Sequence, residues 1–159
     1  MAANRSESGQ SLVETALCAL LFWLFIFGTF DFGFLYYTKV TLQNAVRQAA
    51  RYAVTGNCTS APCFDPSNGS GDRLNTILQT VSDYSFGLNA TVSVSCIQGS
   101  CLSTYGYGTN NAGGPGDTVQ ISAQYTFRPI ILHNIFTGGS YTYTVSSTFQ
   151  NEHFAPPAS

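Results

Sequence analysis

From Thr15 to Phe30 the chain carries no charge, and the apolar stretch around it extends from Leu12 to Tyr37. A helix of that length covers a bilayer core of roughly 30 Å. A secretory signal is the rival reading, but its apolar core spans only about 7–15 residues and ends at small side chains. This run is longer and ends in Phe32-Gly33-Phe34-Leu35-Tyr36-Tyr37. The segment therefore reads as a retained anchor, with Tyr36 and Tyr37 at the interfacial aromatic belt.

At the head of the run stands Glu14, in Gly9-Gln10-Ser11-Leu12-Val13-Glu14. A carboxylate costs about 2.5–3.5 kcal/mol at the centre of an inserted helix, so its place there calls for a role. Gly9 reads as a processing point, and Glu14 is then the fifth residue counted from Gln10. Asp31 is the second acid of the span, roughly 25 Å along a helix from Glu14. An acid closing the end of the span is the plainer reading of it, and a functional pair with Glu14 the sharper one. Gly28 and Gly33 can let helices approach or bend, but they lack Gly-x-x-x-Gly spacing.

The helix is expected to outlast the membrane. Thr38–Val54 has no Gly or Pro, and Val40, Ala45 or Val46, Ala49, Ala50, Ala53 and Val54 recur at helical spacing. Lys39, Gln43, Arg47 and Arg51 fall every fourth residue on another face, which reads as solvated rather than as a partner-binding stripe. Gly56 supplies the stop. Glu14 to Val54 as one helix spans about 60 Å.

Beyond the stalk the composition turns to Ser, Thr, Gly, Asn and Tyr. Charged residues make up 9% of the 159 and the net charge is −2, which leaves no basic footprint for nucleic acid. Aromatics at 14% argue against a disordered chain. Cys58, Cys63, Cys96 and Cys101 form two Cys-x-x-x-x-Cys pairs with no nearby His. Disulfides fit them better than a metal site, so the head belongs in an oxidising compartment. The local pairing, 58–63 with 96–101, is the first choice, and a crossed pairing is the alternative. Cys18 reads as a small apolar residue in the span. Positive charge alone would orient the chain the other way, since only Arg5 precedes the span and Lys39, Arg47 and Arg51 follow it. The cysteines decide in favour of an N-terminus inside and a head outside.

In the head, Pro62, Pro66, Asn68 and Gly69 mark a linker, and Asp72 reads as a helix cap. Leu74, Ile77, Leu78 and Val81 give an amphipathic helix. Thr91–Cys96, Thr118–Phe127 and Tyr141–Phe149 alternate, with Val92, Val94 and Cys96, then Val119, Ile121, Ala123, Tyr125 and Phe127, then Tyr141, Tyr143, Val145 and Phe149 on the covered face. The fold class is thus α+β: a long membrane-spanning helix and stalk, then a small head with one helix on a three-stranded antiparallel sheet. The divisions are 1–9 leader, 10–54 span and stalk, 55–71 linker, 72–150 head and 151–159 flexible tail. The Gly/Asn/Tyr-rich stretch 99–116 is long for a loop, and Pro129–Phe136 is an apolar excursion between two strands. His133 and His153 are isolated, Asn57, Asn68 and Asn89 match the glycosylation pattern weakly, and no catalytic, phosphate-binding or metal motif occurs. The reading is not an enzyme, with no cofactor.

Three blocks in order resemble the TadE-like family: Gly9-Gln-Ser-Leu-Val-Glu14, Phe27-Gly-Thr-Phe-Asp-Phe-Gly33, and Leu42-Gln-Asn-Ala-Val-Arg-Gln-Ala-Ala-Arg-Tyr-Ala53. The resemblance covers roughly residues 9–54. Family members often carry an aromatic after the Glu and a Pro in the span; here Thr15 follows and the span has no Pro. The resemblance implies a pseudopilin of tight-adherence pilus systems, cut by a prepilin peptidase between Gly9 and Gln10. It implies pairing of Glu14 with the new N-terminal ammonium of a neighbouring subunit. The implied partners are other pilin or pseudopilin subunits through the N-terminal helix, the peptidase, the assembly machinery and the membrane. The implied place is the bacterial inner membrane, crossed once, with a periplasmic or extracellular head. The alternative is an unassembled bitopic surface protein with an adhesive or binding head.

Overall fold

The structure, a computed structural model, describes residues 5–56, 71–99, 108–129 and 139–153. Cys58, Cys63, Cys101, His133, Asn57, Asn68 and most of the linker and of the Pro129–Phe136 excursion lie outside them. Two compact units make up the chain: Met1–Tyr36 with Arg128–Ser140, and Tyr37–Phe127 with Tyr141–Ser159.

Helix α1 runs unbroken over Arg5–Val54. It begins before the expected start at residue 10, since nothing between Arg5 and Gly9 breaks it and one interior Gly costs only about 1 kcal/mol. In the second unit its stalk half buries Thr38, Thr41, Leu42, Ala45, Val46, Ala49, Ala50 and Ala53, a stripe at i, i+3, i+4, i+7. The alanines keep the helix close to the layer beneath, while Leu42 and Val46 fill the space between. Val40 and Val54 are only half-buried, so the stripe lies slightly aside from the one expected. Lys39, Arg47 and Arg51 are exposed and Gln43 is half-buried. Gly56, at φ 69, closes the helix by donating to the Ala53 carbonyl at 3.1 Å, the left-handed stop that glycine suits.

Helix α2 is Gly71–Tyr84. Ile77 and Val81 are buried, Leu74 and Leu78 half-buried. Arg73 and Thr76 share the buried face, which is rotated by about one residue from the apolar pattern. The Asp72 side chain lies outside the described residues.

Strands β1 (Thr91–Gln98), β2 (Gly108–Thr109), β3 (Thr118–Phe127) and β4 (Tyr141–Gln150) form one antiparallel sheet in the order β2-β1-β3-β4. The three long strands are those read from alternation. β2 is a two-residue addition at the edge, inside the Gly/Asn/Tyr-rich stretch, and too short to leave a periodic signal. Pairing sets Val94 opposite Ile121, Cys96 opposite Val119 and Ala123 opposite Val145. All six are buried, so the register places the whole apolar set on one face. The stalk helix and α2 cover that face. The other presents Thr142, Thr144, Ser146 and Thr148 to solvent. Tyr143 Oη, buried, donates to Thr38 Oγ1 at 3.0 Å and ties β4 to the stalk. Burial pushes its phenol pKa up, the Thr38 hydrogen bond opposes this, and Tyr125 adds to the rise.

A buried polar clasp locks one end of this unit. The Arg73 guanidinium donates to the Gly113 carbonyl at 2.8 Å, the Ala53 carbonyl at 2.7 Å and Asn151 Oδ1 at 2.7 Å. Asn151 Nδ2 donates to the Ala112 and Gly114 carbonyls at 3.2 and 2.8 Å. Asp117 Oδ2 accepts from the Gly114 amide at 2.7 Å. Burial lowers the Arg73 pKa to about 10, with Asp117 opposing the fall; the group still carries its charge at neutral pH. Gly113 has φ 65, and a Cβ there would meet Val119 Cγ2 at 2.9 Å and Cys96 Sγ at 3.2 Å, so the site takes only glycine without rearrangement. Asn151, which the sequence reading put at the start of a flexible tail, is 3% exposed. The rest of that tail from residue 154 lies outside the described residues. Cys96 is disulfide-bonded. Its partner lies outside the described residues, so the pairing stays open.

Candidate assembly helix

The functional candidates lie on α1 before the stalk. Every side chain from Gly9 to Phe25 is exposed within the chain, and the helix has an 18-residue window of mean hydropathy 2.0 with no burial. It is long and apolar enough to cross a membrane, which suggests an anchor. Its hydroxyls are satisfied locally. Thr15 Oγ1 donates to the Ser11 carbonyl at 2.8 Å and Thr29 Oγ1 to the Phe25 carbonyl at 2.9 Å, as a helix in lipid requires. Trp23 stacks on Phe27, with ring centroids 5.5 Å apart, and meets the edge of Phe22 at 6.0 Å.

Glu14 is exposed. Between Arg5 and Lys39 the sequence holds no basic side chain, so the span itself offers its carboxylate no cation. Spacing by four and three puts Cys18, Leu21, Phe25, Gly28 and Phe32 on the stripe of Glu14. Part of that stripe is a shallow groove lined by Leu24, Phe25, Gly28, Thr29 and Phe32. Nothing lies within 4 Å of where a Gly28 Cβ would stand, so the notch is open to an approaching helix. Cys18 is a free, exposed thiol.

Asp31 behaves differently. It is 5% exposed, between Phe30 at 65% and Phe32 at 70%. The two acids stand about 25 Å apart on different faces of the helix, so the structure does not bring them together. Glu14 is exposed and Asp31 is buried within the chain. Sequence spacing gave the separation, but the burial of Asp31 had no local signal, because its flanking phenylalanines are exposed.

Gly9 and Gln10 are exposed and lie inside the helix. A peptidase needs extended backbone, so a cut there requires the first turns to open. Among the described residues no group of three or more His, Cys, Asp or Glu is placed to hold a metal ion.

Residues 9–51 match the family model described as TadE-like protein. The matched segment is roughly a quarter of the chain, and it contains Gly9, Glu14, Asp31 and most of the stalk stripe. No curated protein and no solved structure matches the chain.

Proposed function

We propose that this chain is a pseudopilin of a tight-adherence pilus: a non-enzymatic subunit anchored by α1, cut between Gly9 and Gln10, and assembled through its N-terminal helix. The observation that carries the reading is the position of Glu14. It is an exposed acid at the head of an apolar helix without a cation of its own, inside the segment that matches the TadE-like family. After the cut, the Gln10 ammonium of a neighbouring subunit becomes the missing partner. Two charges that lose water in lipid lower each other's desolvation cost when they meet. The partners on this reading are other pilin-like subunits, the prepilin peptidase and the assembly machinery. The head stands on the oxidising side of the bacterial inner membrane, its cysteines paired as disulfides. Cyclisation of Gln10 would remove the ammonium, so the N-terminal chemistry of the mature chain bears directly on the pairing.

Gly9→Val tests processing. The variant is expected to insert in the membrane, keep residues 1–9 and stay out of filaments. A Gly9→Val chain that is trimmed and assembled like the wild type would sink the proposed cut. The unbroken helix across Gly9 and Gln10 favours a second reading, an uncut bitopic surface protein with a binding head. That reading predicts no difference between wild type and Gly9→Val in length or location.

A further inference from the structure

Strand β4 breaks its apolar pattern once on the covered face. Tyr143 and Val145 are buried there and Phe149 is half-buried, yet the position between them, opposite Ile121, holds Ser147. A serine where an apolar side chain would complete the layer leaves a gap. That gap is a cleft of about 90 Å³, lined by Val145, Ser146 and Ser147 of β4 and by Gln43, Val46 and Arg47 of the stalk. The volume is room for about three waters. Val46 and Val145 are themselves buried, so the open lining is the four polar side chains.

All four can donate: a guanidinium, a primary amide and two hydroxyls. Among the described residues none of these side chains is hydrogen-bonded or ion-paired, and no Asp or Glu lines the cleft. Gln43 and Ser147 are half-buried, so they lose part of their hydration with no bond in return. Donors that converge without an acceptor suit an anion. Arg51 stands one turn further along the stalk and Lys39 two turns back, both exposed, at about 6 Å for each four-residue step. Asp83 and Glu152, the exposed acids of the same unit, form no ion pair with any of the three cations. Those three are half of the six basic residues in the chain, and the exposed Arg128 follows the end of β3, off this strip. Basic sites for anionic lipid gather roughly four to eight cations in one cluster. Here they are few and spaced by helical turns, which matches acids repeating along a second helix.

We propose that this cleft receives a carboxylate from an acidic helix of a partner protein. The Arg47 fork holds both carboxylate oxygens, a geometry that lysine cannot reproduce, and Gln43, Ser146 and Ser147 close round them. Arg51 and Lys39 meet further acids of the same helix on either side. The site lies within the second unit, and it stands whether or not the chain is cut after Gly9.

The test uses the full chain in a neutral detergent at low salt. The probe is a dye-labelled, alanine-rich helical peptide with glutamate at every fourth position, and binding is read by fluorescence anisotropy. The peptide is expected to bind, and its counterpart with glutamine at those positions is not. Arg47→Gln should weaken binding about tenfold or more, and Arg47→Lys should restore only part of it. Ser147→Val keeps every cation but fills the gap, and should lose most of the binding. Arg128→Gln, which removes an exposed cation elsewhere, should change nothing. Equal losses in Arg47→Gln and Arg128→Gln would reduce the effect to net charge and overturn the proposal. Wild-type binding in Ser147→Val would overturn it too, by placing the acids on the open strip and not in the cleft. So would a glutamate peptide that fails to bind. In that case Arg47-dependent binding of a short-chain phosphatidylglycerol would give the cleft to lipid phosphate, and binding of neither probe would leave the strip to solvent.

Discussion

Arg73→Ala is expected to unfold the head while leaving the membrane helix intact. The side chain is 2% exposed and its guanidinium holds three groups from three parts of the chain. Removing it leaves the Asp117 carboxylate, 2% exposed, without the opposing charge. It also strips a donor from the carbonyls at the end of α1 and in the Gly113 loop. Breaking a buried pair by deleting one partner costs about 3–5 kcal/mol, against a total of roughly 5–15 kcal/mol for a typical domain. The measurement is near-ultraviolet circular dichroism of the tyrosines, or protease susceptibility, of the full chain in detergent. Far-ultraviolet signal from the 50 residues of α1 would mask the loss. A variant that melts within a few degrees of wild type would mean that the clasp is ornamental. The charge state does not complicate the test. The folded value of about 10 lies below the ordinary guanidinium range, so the folded chain releases this proton first. Stability from this group then rises with pH only in the alkaline window between the two values, and near neutrality Arg73 contributes no slope.

Glu14→Ala is expected to abolish filament assembly without harming insertion. Removing a carboxylate makes an apolar helix easier to insert, by about 2.5–3.5 kcal/mol at the bilayer centre. Membrane recovery should therefore equal or exceed that of wild type, while recovery in sheared filaments falls to background. Glu14→Gln keeps the size and removes the charge, and should fail in the same way if ion pairing is what matters. Cys18 is exposed, free and one turn from Glu14 on its stripe, so it offers a native cross-linking site on that face. Cross-links through Cys18 to neighbouring pilin helices should vanish with the filament. Unchanged assembly and cross-linking in both variants would leave α1 as a simple anchor and turn attention to the head.

Much of this architecture was legible because its signals are local and periodic. The long strands declared themselves through Val92, Val94 and Cys96, through Val119 to Phe127, and through Tyr143 and Val145. The stalk did so through alanines at helical spacing, and α2 through Ile77 and Val81. The clasp was not legible, because Arg73, Asp117 and Asn151 are far apart in sequence and each fits a bland local role. One clue was available: Arg73 is a cation in the first turn of a helix, where the dipole favours acids, and such a misfit asks for a partner elsewhere. Asn151 gave no warning, since a polar residue after the last strand looks like any loose end. In the N-terminal helix, the resemblance to the TadE-like family carried Gly9 and Glu14. The opposite environments of Glu14 and Asp31 depend on what packs against each, and spacing alone does not encode that.

The most direct test of the central claim is the intact mass of the membrane-extracted chain under non-reducing conditions, read in cells that hold a prepilin peptidase. The account predicts a chain beginning at Gln10 and lighter by the hydrogens of two disulfides. A chain that retains residues 1–9 in those cells would contradict processing, and with it the pairing of Glu14 to a neighbour's N-terminus.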